Sequence, residues 1–171
     1  MTRANTGHES ESEVARLLAG AARAVRKVPY CWLVTTGEDG GIAARPMGRL
    51  LHDAGEDEWR IRFVTDGRSR KTGDLRREAE VVLVFQHDPS ESYVALTGRA
   101  TVRDEASEVR RRWTSHYDTY FPTELDRASA VFVEVDVERI TLWIRGVTPE
   151  PFGLQTTLLE RQADGGWRLA S

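Results

Sequence analysis

The chain has 171 residues and a mass of 19.3 kDa, the size of one domain with short appendages. It is 40% hydrophobic and 30% charged, too apolar for wholesale disorder and ordinary for a globular protein. A net charge of −3 and a pI near 5.9 supply no electrostatic pull toward nucleic acid or an anionic membrane; no apolar run is long enough to span a bilayer, and the polar N-terminus is unlike a signal peptide, so a cytoplasmic protein is expected.

Residues 1–9 read as a disordered tail. From Ser10 to Lys27, Val14, Leu17, Leu18, Ala21 and Val25 recur at helical spacing, and Ser10 with Glu13 fits a capping box. Tyr30 to Thr36 is a strand run, the segment Gly37-Glu38-Asp39-Gly40-Gly41 a turn, and Ile42 to about Leu50 a second strand. After the polar loop from His52 to Glu58, Trp59, Ile61 and Phe63 alternate with Arg60 and Arg62, the pattern of a half-buried strand. A helix is expected over Arg68 to Glu80. Val81 to Phe85 reads as a strand covered on both faces and Tyr93 to Arg103 as another strand, followed by a helix from Glu105 to about Tyr117. A short helical piece follows Pro122-Thr123.

Val131, Val133, Val135 and Val137 alternate against Glu134 and Asp136, and the strand continues through Ile140 to Ile144. Phe152 to Glu160 and Trp167 to Ala170 can pair across Ala163-Asp164-Gly165-Gly166 as a terminal hairpin. Short turns between adjacent strands favour antiparallel pairing. The expected architecture is mainly β (α+β): an antiparallel barrel of about six strands with flanking helices. The domain covers residues 10–150, with residues 151–171 as a C-terminal hairpin or extension.

Cys31 is the single cysteine; flanked by Tyr30 and Trp32, it reads as a buried structural thiol and builds neither a disulfide nor a thiolate metal cage. The four histidines are scattered without metal-site spacing, so no metal is expected. Motifs for a nucleophile elbow, a P-loop or a dinucleotide-binding turn are missing. All but two of the 24 basic residues are arginines, and one of the two lysines, Lys71, falls in the most informative segment, Phe63 to Lys71. There a strand ends near Thr65 and a helix begins near Ser69, placing Arg68, Arg70 and Lys71 where unpaired N–H groups and the positive helix pole already concentrate charge. A phosphate would reconcile these charges, accepting from the N–H groups, a Ser69 or Thr65 hydroxyl and the cationic heads. The competing reading is a solvated charge run.

Three segments in order carry a resemblance: Arg45-Pro46-Met47, then Phe63-x-Thr65 through Ser69-Arg70-Lys71, then Tyr93 through Ala100 (YVALTGRA). Together they resemble the pyridoxamine 5′-phosphate oxidase-like superfamily of FMN-binding split β-barrels, and more narrowly its general-stress-protein branch. The likeness runs from about Arg26 to Ile144 and includes Trp113, Tyr120-Phe121-Pro122 and Ile140 to Trp143. It implies a six-stranded split barrel, a homodimer with FMN in clefts between subunits, and an oxidoreductase acting on an unidentified small molecule. Carried over by position, Arg70 and Lys71 would hold the FMN phosphate, with Ser69 and Thr65 adding hydroxyl contacts. Arg45, Pro46 and Met47 would run beside the flavin ring, in a slot that Val64 can line. Tyr93 stands where the oxidase motif has a flavin-contacting glutamine, and Trp143 matches a tryptophan reaching the cofactor from the partner subunit.

Ile144 to Pro149 departs from the substrate-binding stretch of the true oxidase, so pyridoxamine-phosphate oxidation itself is not implied. Two other readings stay open: a non-catalytic protein that stores or senses FMN, and a deazaflavin-dependent reductase on the same barrel. Trp113, Tyr117, Tyr120 and Phe121 recur near helical spacing and fit core or dimer packing, or a roof over the flavin.

Overall fold

The computed structural model of the protein describes residues 4–52 and 55–170. Four helices, α1 (Ala4–Lys27), α2 (Arg70–Arg77), α3 (Ala106–Arg112) and α4 (Glu124–Ser129), surround eight strands. The strands are β1 (Tyr30–Thr36), β2 (Ile42–Gly48), β3 (Arg60–Asp66), β4 (Glu80–His87), β5 (Ser92–Arg103), β6 (Ala130–Ile144), β7 (Thr157–Arg161) and β8 (Trp167–Leu169). Every ladder is antiparallel, in the order β2-β1-β4-β5-β6-β7-β8, with β3 pairing β6. This is the expected mostly antiparallel split barrel with flanking helices, carrying β7–β8 as a terminal hairpin.

The long strand β6 organises the sheet. One edge pairs β5 along its length, while the other takes β3 over Ala130–Asp136 and β7 over Arg139–Leu142. The valine alternation buries Val131, Val133, Val135 and Val137, and Ile140 and Leu142 continue the core. The β5–β6 register shifts between Thr97 and Gly98. A Cβ at Gly98 would collide with the Asp136 carbonyl oxygen, so this bulge requires glycine. The sheet does not close: no ladder joins β2 to β3, and only past the end of β2 does the Leu50 N–H donate to the carbonyl of Arg62 in β3, at 2.8 Å.

Helix α1 packs Leu17, Ala21 and Val25 onto β4, β5, β6 and β8. Its C-terminal end is tied to the strand side by Arg49, whose guanidinium donates to the carbonyls of Val25, Val28 and Arg26 at 3.0–3.2 Å. The helix begins at Ala4, which corrects the expected tail over 1–9; residues 1–3 of that tail lie outside the described residues. Ser10 therefore lies inside the helix rather than at its cap. Extending a helix already anchored by a buried apolar stripe costs far less than nucleating one.

Three further expectations are corrected. The helix expected over 105–117 breaks: α3 ends at Arg112, Trp113 and Thr114 are extended, and a separate 3₁₀ turn runs Ser115–Thr119. The Trp113 ring makes edge contacts with Tyr117 and Phe121 at 5.6 Å, and its indole N–H donates to Asp118 at 3.0 Å. Aromatic packing thus outweighs helix continuation. Strand β4 is buried on one face, through Val81, Leu83 and Phe85, while Val82 and Val84 on the other face are only half-buried. The last strands begin at Thr157 rather than Phe152; the Phe152 ring instead lies under the Arg145 guanidinium at 4.2 Å and near Tyr93.

Candidate functional site

The seam left between β2 and β3 is a groove of about 400 Å³. Pro46 and Met47 form one wall, Val64, Thr65 and Asp66 another, and Tyr30 with His116, Tyr117, Tyr120 and Phe121 closes the side made by the 3₁₀ turn. Flat apolar and aromatic surfaces around few polar groups suit a planar heteroaromatic ring. As an edge strand paired only to β1, β2 tolerates Pro46. Its alternation turns Pro46 outward and buries Met47 on the inner face, where Arg45 also points.

One end of the groove leads to the start of α2. Thr65 and Asp66 close β3, and Asp66 then holds the turn: its carboxylate accepts from the Arg68 backbone N–H at 2.8 Å and from the Arg68 guanidinium at 2.9–3.3 Å. These bonds pull the Asp66 carboxyl down to about 2. Arg68, also 3.8 Å from Asp126, is thereby neutralised locally. The Ser69 hydroxyl donates to the Asp66 carbonyl at 2.7 Å and lies 3.0 Å from the Thr72 hydroxyl, so it braces the turn rather than capping α2.

Arg70 and Lys71 occupy the first turn of α2, where backbone N–H groups have no intrahelical acceptor. Among the described residues, neither has a carboxylate within ion-pair distance. Lys71 is half-buried, and burial lowers its pKa, helped by the nearby positive charge of Arg45 and opposed by Asp66. Arg45 donates to the Thr35 hydroxyl at 3.0 Å and stands 3.7 Å from the buried Asp74 carboxylate of α2. Asp74 in turn accepts from Arg77 at 3.2 Å, and Arg77 also donates to the Thr36 carbonyl at 3.0 Å. Arg45 keeps one buried guanidinium nitrogen, Nη1, without a partner.

Of the ten residues singled out from the sequence, Pro46, Met47, Val64 and Thr65 line the groove. Arg45 and Lys71 lie within electrostatic reach of each other, Ser69 braces the turn at Asp66, which lines the groove, and the Arg70 guanidinium reaches toward Gly37 in the β1–β2 turn. Tyr93 and Trp143 do not join them: they are partners across the β5–β6 ladder and do not line the groove. Asp74, Tyr30 and His116 escaped sequence reasoning. Asp74 had a signal, lying three residues after Lys71 and therefore on the same helix face; Tyr30 and His116 had none. Cys31 is buried as expected, and burial pushes its thiol up to about 12, far from nucleophilic range.

The family model "Pyridoxamine 5'-phosphate oxidase like" matches residues 19–155. No curated protein matches the sequence. Among solved structures, a Clostridium acetobutylicum protein related to general stress protein 26 of B. subtilis is similar at 18% identity, covering 86% of this chain and 95% of that one, with a TM-score of 0.66. A pyridoxamine 5′-phosphate oxidase-related, FMN-binding protein from Nostoc punctiforme is 14% identical over 94% of this chain and 95% of its own, also with a TM-score of 0.66. An F420 reductase is 17% identical over 71% of this chain and 95% of its own, with a TM-score of 0.54. At these identities the likeness shows a shared fold.

Proposed function

Because the chain belongs to the pyridoxamine 5′-phosphate oxidase-like family, we propose that it is an FMN-binding oxidoreductase acting on a small molecule. The observation that carries this reading is the continuity of an apolar, aromatic-walled groove with a cluster of cations that lacks enough acids of its own. A phosphorylated flavin has that same division, a flat ring at one end and a dianion at the other. The unpartnered Nη1 of Arg45, the desolvated ammonium of Lys71 and the free N–H groups of α2 are the groups an incoming phosphate would satisfy. The Nostoc punctiforme neighbour, described as FMN binding, supports the choice of flavin.

When bound, FMN would supply the electron transfer chemistry. The residues of this chain do the rest: Pro46, Met47 and Val64 pack the ring and exclude water, and Arg45, Arg70 and Lys71 neutralise the tail. The aromatic wall of Tyr30, Tyr117 and Tyr120 bounds the remaining space. Tyr93 and Trp143 contribute from a second copy of the chain, which accounts for their distance from the groove of their own protomer. That copy would dock on the outer face of β2-β1-β4, where Ile42 is 80%, Tyr30 57% and Trp32 53% exposed beside half-buried Val34, Val82 and Val84.

The F420 reductase neighbour favours a second reading, a deazaflavin on the same barrel. Absorbance and mass spectrometry of the small molecule released from purified protein test both. Release of FMN is the expected result; a deazaflavin would replace it as cofactor, and a protein that neither co-purifies with FMN nor binds it when added would sink the proposal. Titration of the bound FMN with NADH, NADPH and a substrate panel then separates an enzyme, which is reduced, from a storage protein, which is not.

A further inference from the structure

Asp74 is a carboxylate only 3% exposed, with Arg45 at 3.7 Å and Arg77 at 3.2 Å, on the helix whose first turn carries Arg70 and Lys71. If it served as a pedestal for Arg45, a paired fork at 2.7–2.9 Å would be the ordinary arrangement. The observed separation, from Arg45 Nη2 to Asp74 Oδ2, is 3.7 Å, too long for a hydrogen bond; Asp74 Oδ2 is left buried without a partner, as is the second terminal nitrogen of the same guanidinium, Arg45 Nη1. Arg45 is anchored elsewhere, on the Thr35 hydroxyl, and Asp74 on Arg77. The two groups attract without bonding.

From this geometry we infer that Asp74 is an internal anionic competitor, holding Arg45 back from the phosphate and making ligand capture at this site reversible. This deepens, and rests on, the reading of the cluster as the phosphate end of a flavin site. In the ligand-free protein the carboxylate offsets repulsion between Arg45 and Lys71, whose mutual proximity already lowers the lysine pKa. When a phosphate reaches Nη1, the same buried negative charge opposes it, and burial leaves little solvent to screen that opposition. Asp74 is therefore a specificity residue for the charge of the ligand tail, and acts on the flavin only through Arg45.

The test is binding of FMN and of riboflavin, which shares the ring and lacks the phosphate, by cofactor-stripped full-length protein, read by quenching of flavin fluorescence. Asp74→Asn is expected to raise the affinity ratio of FMN over riboflavin about tenfold, equivalent to about 1.4 kcal/mol, with riboflavin binding itself unchanged. Asp74→Ser, neutral and smaller, should shift the ratio the same way and serves if the asparagine variant does not fold. An unchanged or lowered ratio in a folded variant overturns the inference, as does failure of both variants to fold, which would mark Asp74 as a purely structural acid. Wild-type protein that binds no FMN defeats the flavin reading itself, a result distinct from a wild-type that binds FMN and variants that bind it identically.

Discussion

Lys71 sits half-buried at the first turn of α2 with no carboxylate in ion-pair range among the described residues, and Arg45 beside it carries an unsatisfied buried nitrogen. Burying cations without acceptors is unfavourable, so these side chains gain from an anion more than ordinary surface lysines or arginines do. Replacing Arg70 and Lys71 together by alanine removes two charge-assisted contacts, each worth about 1.5–3 kcal/mol. FMN affinity should fall at least about tenfold, while thermal unfolding shifts little because neither side chain makes an ion pair among the described residues. Equal FMN affinity in the folded double variant, measured by fluorescence titration, would remove the phosphate assignment. At this scale the sequence was informative where charge defied local preference, at Arg70 and Lys71, and silent where meaning depends on a distant neighbour. Its spacing from Lys71 puts Asp74 on the same helix face, but nothing local shows that this acid is buried with Arg45 of β2 beside it.

The groove depends on elements that keep the 3₁₀ turn against β6. Glu134, on the middle of β6, accepts from Arg103 of β5 at 3.0 Å and from Arg112 at the end of α3 at 2.5 Å. Burial alone would raise its pKa, but the hydrogen bonds and charges of Arg112 and Arg103 outweigh burial and hold the carboxyl below its ordinary 4.5. A depressed folded pKa means that the contribution to stability is present above 4.5 and is lost as pH falls through the folded value. Glu134→Gln should cost about 1–2 kcal/mol at neutral pH, modest because the arginines are partly solvated. It should also flatten the acid limb of the stability curve, measured by urea unfolding from pH 7 down to pH 3. An acid limb identical to wild-type would show that other carboxylates dominate. The strands themselves were legible from alternation. The broken helix after Arg112 was not, because its cause is packing among Trp113, Tyr117 and Phe121 rather than any local stop signal.

At the scale of the whole molecule, the outer face of β2-β1-β4 is the least finished surface. Trp32 stands on it with Pro46 and Val84 as its cross-strand neighbours, and Ile42, Val34 and Val82 extend the apolar area. Pro46 and Tyr30 also line the groove, so whatever covers this face borders the candidate site. A second copy docked here would bring in Tyr93 and Trp143, as the proposed dimer requires. Trp32→Glu places a charge at the centre of the face and should give monomers with weakened FMN retention, read by light scattering coupled to size exclusion. A wild-type protein that is monomeric, or a Trp32→Glu variant that remains dimeric, would contradict that assembly.

Sequence alone determined the antiparallel strands, the existence of the flanking helices though not all their bounds, and the location of the cationic turn, because hydrophobic period and charge at a helix start are local properties of the chain. Only the tertiary structure decided which cations are already neutralised, as Arg68 is by Asp66, and which remain short of partners, as Arg45 and Lys71 do. It also decided that β2 and β3 stay apart to leave a groove and that the aromatic run after α3 lines it. Electrostatic satisfaction and the closure of a sheet are set by groups far apart in sequence, and no local pattern encodes them.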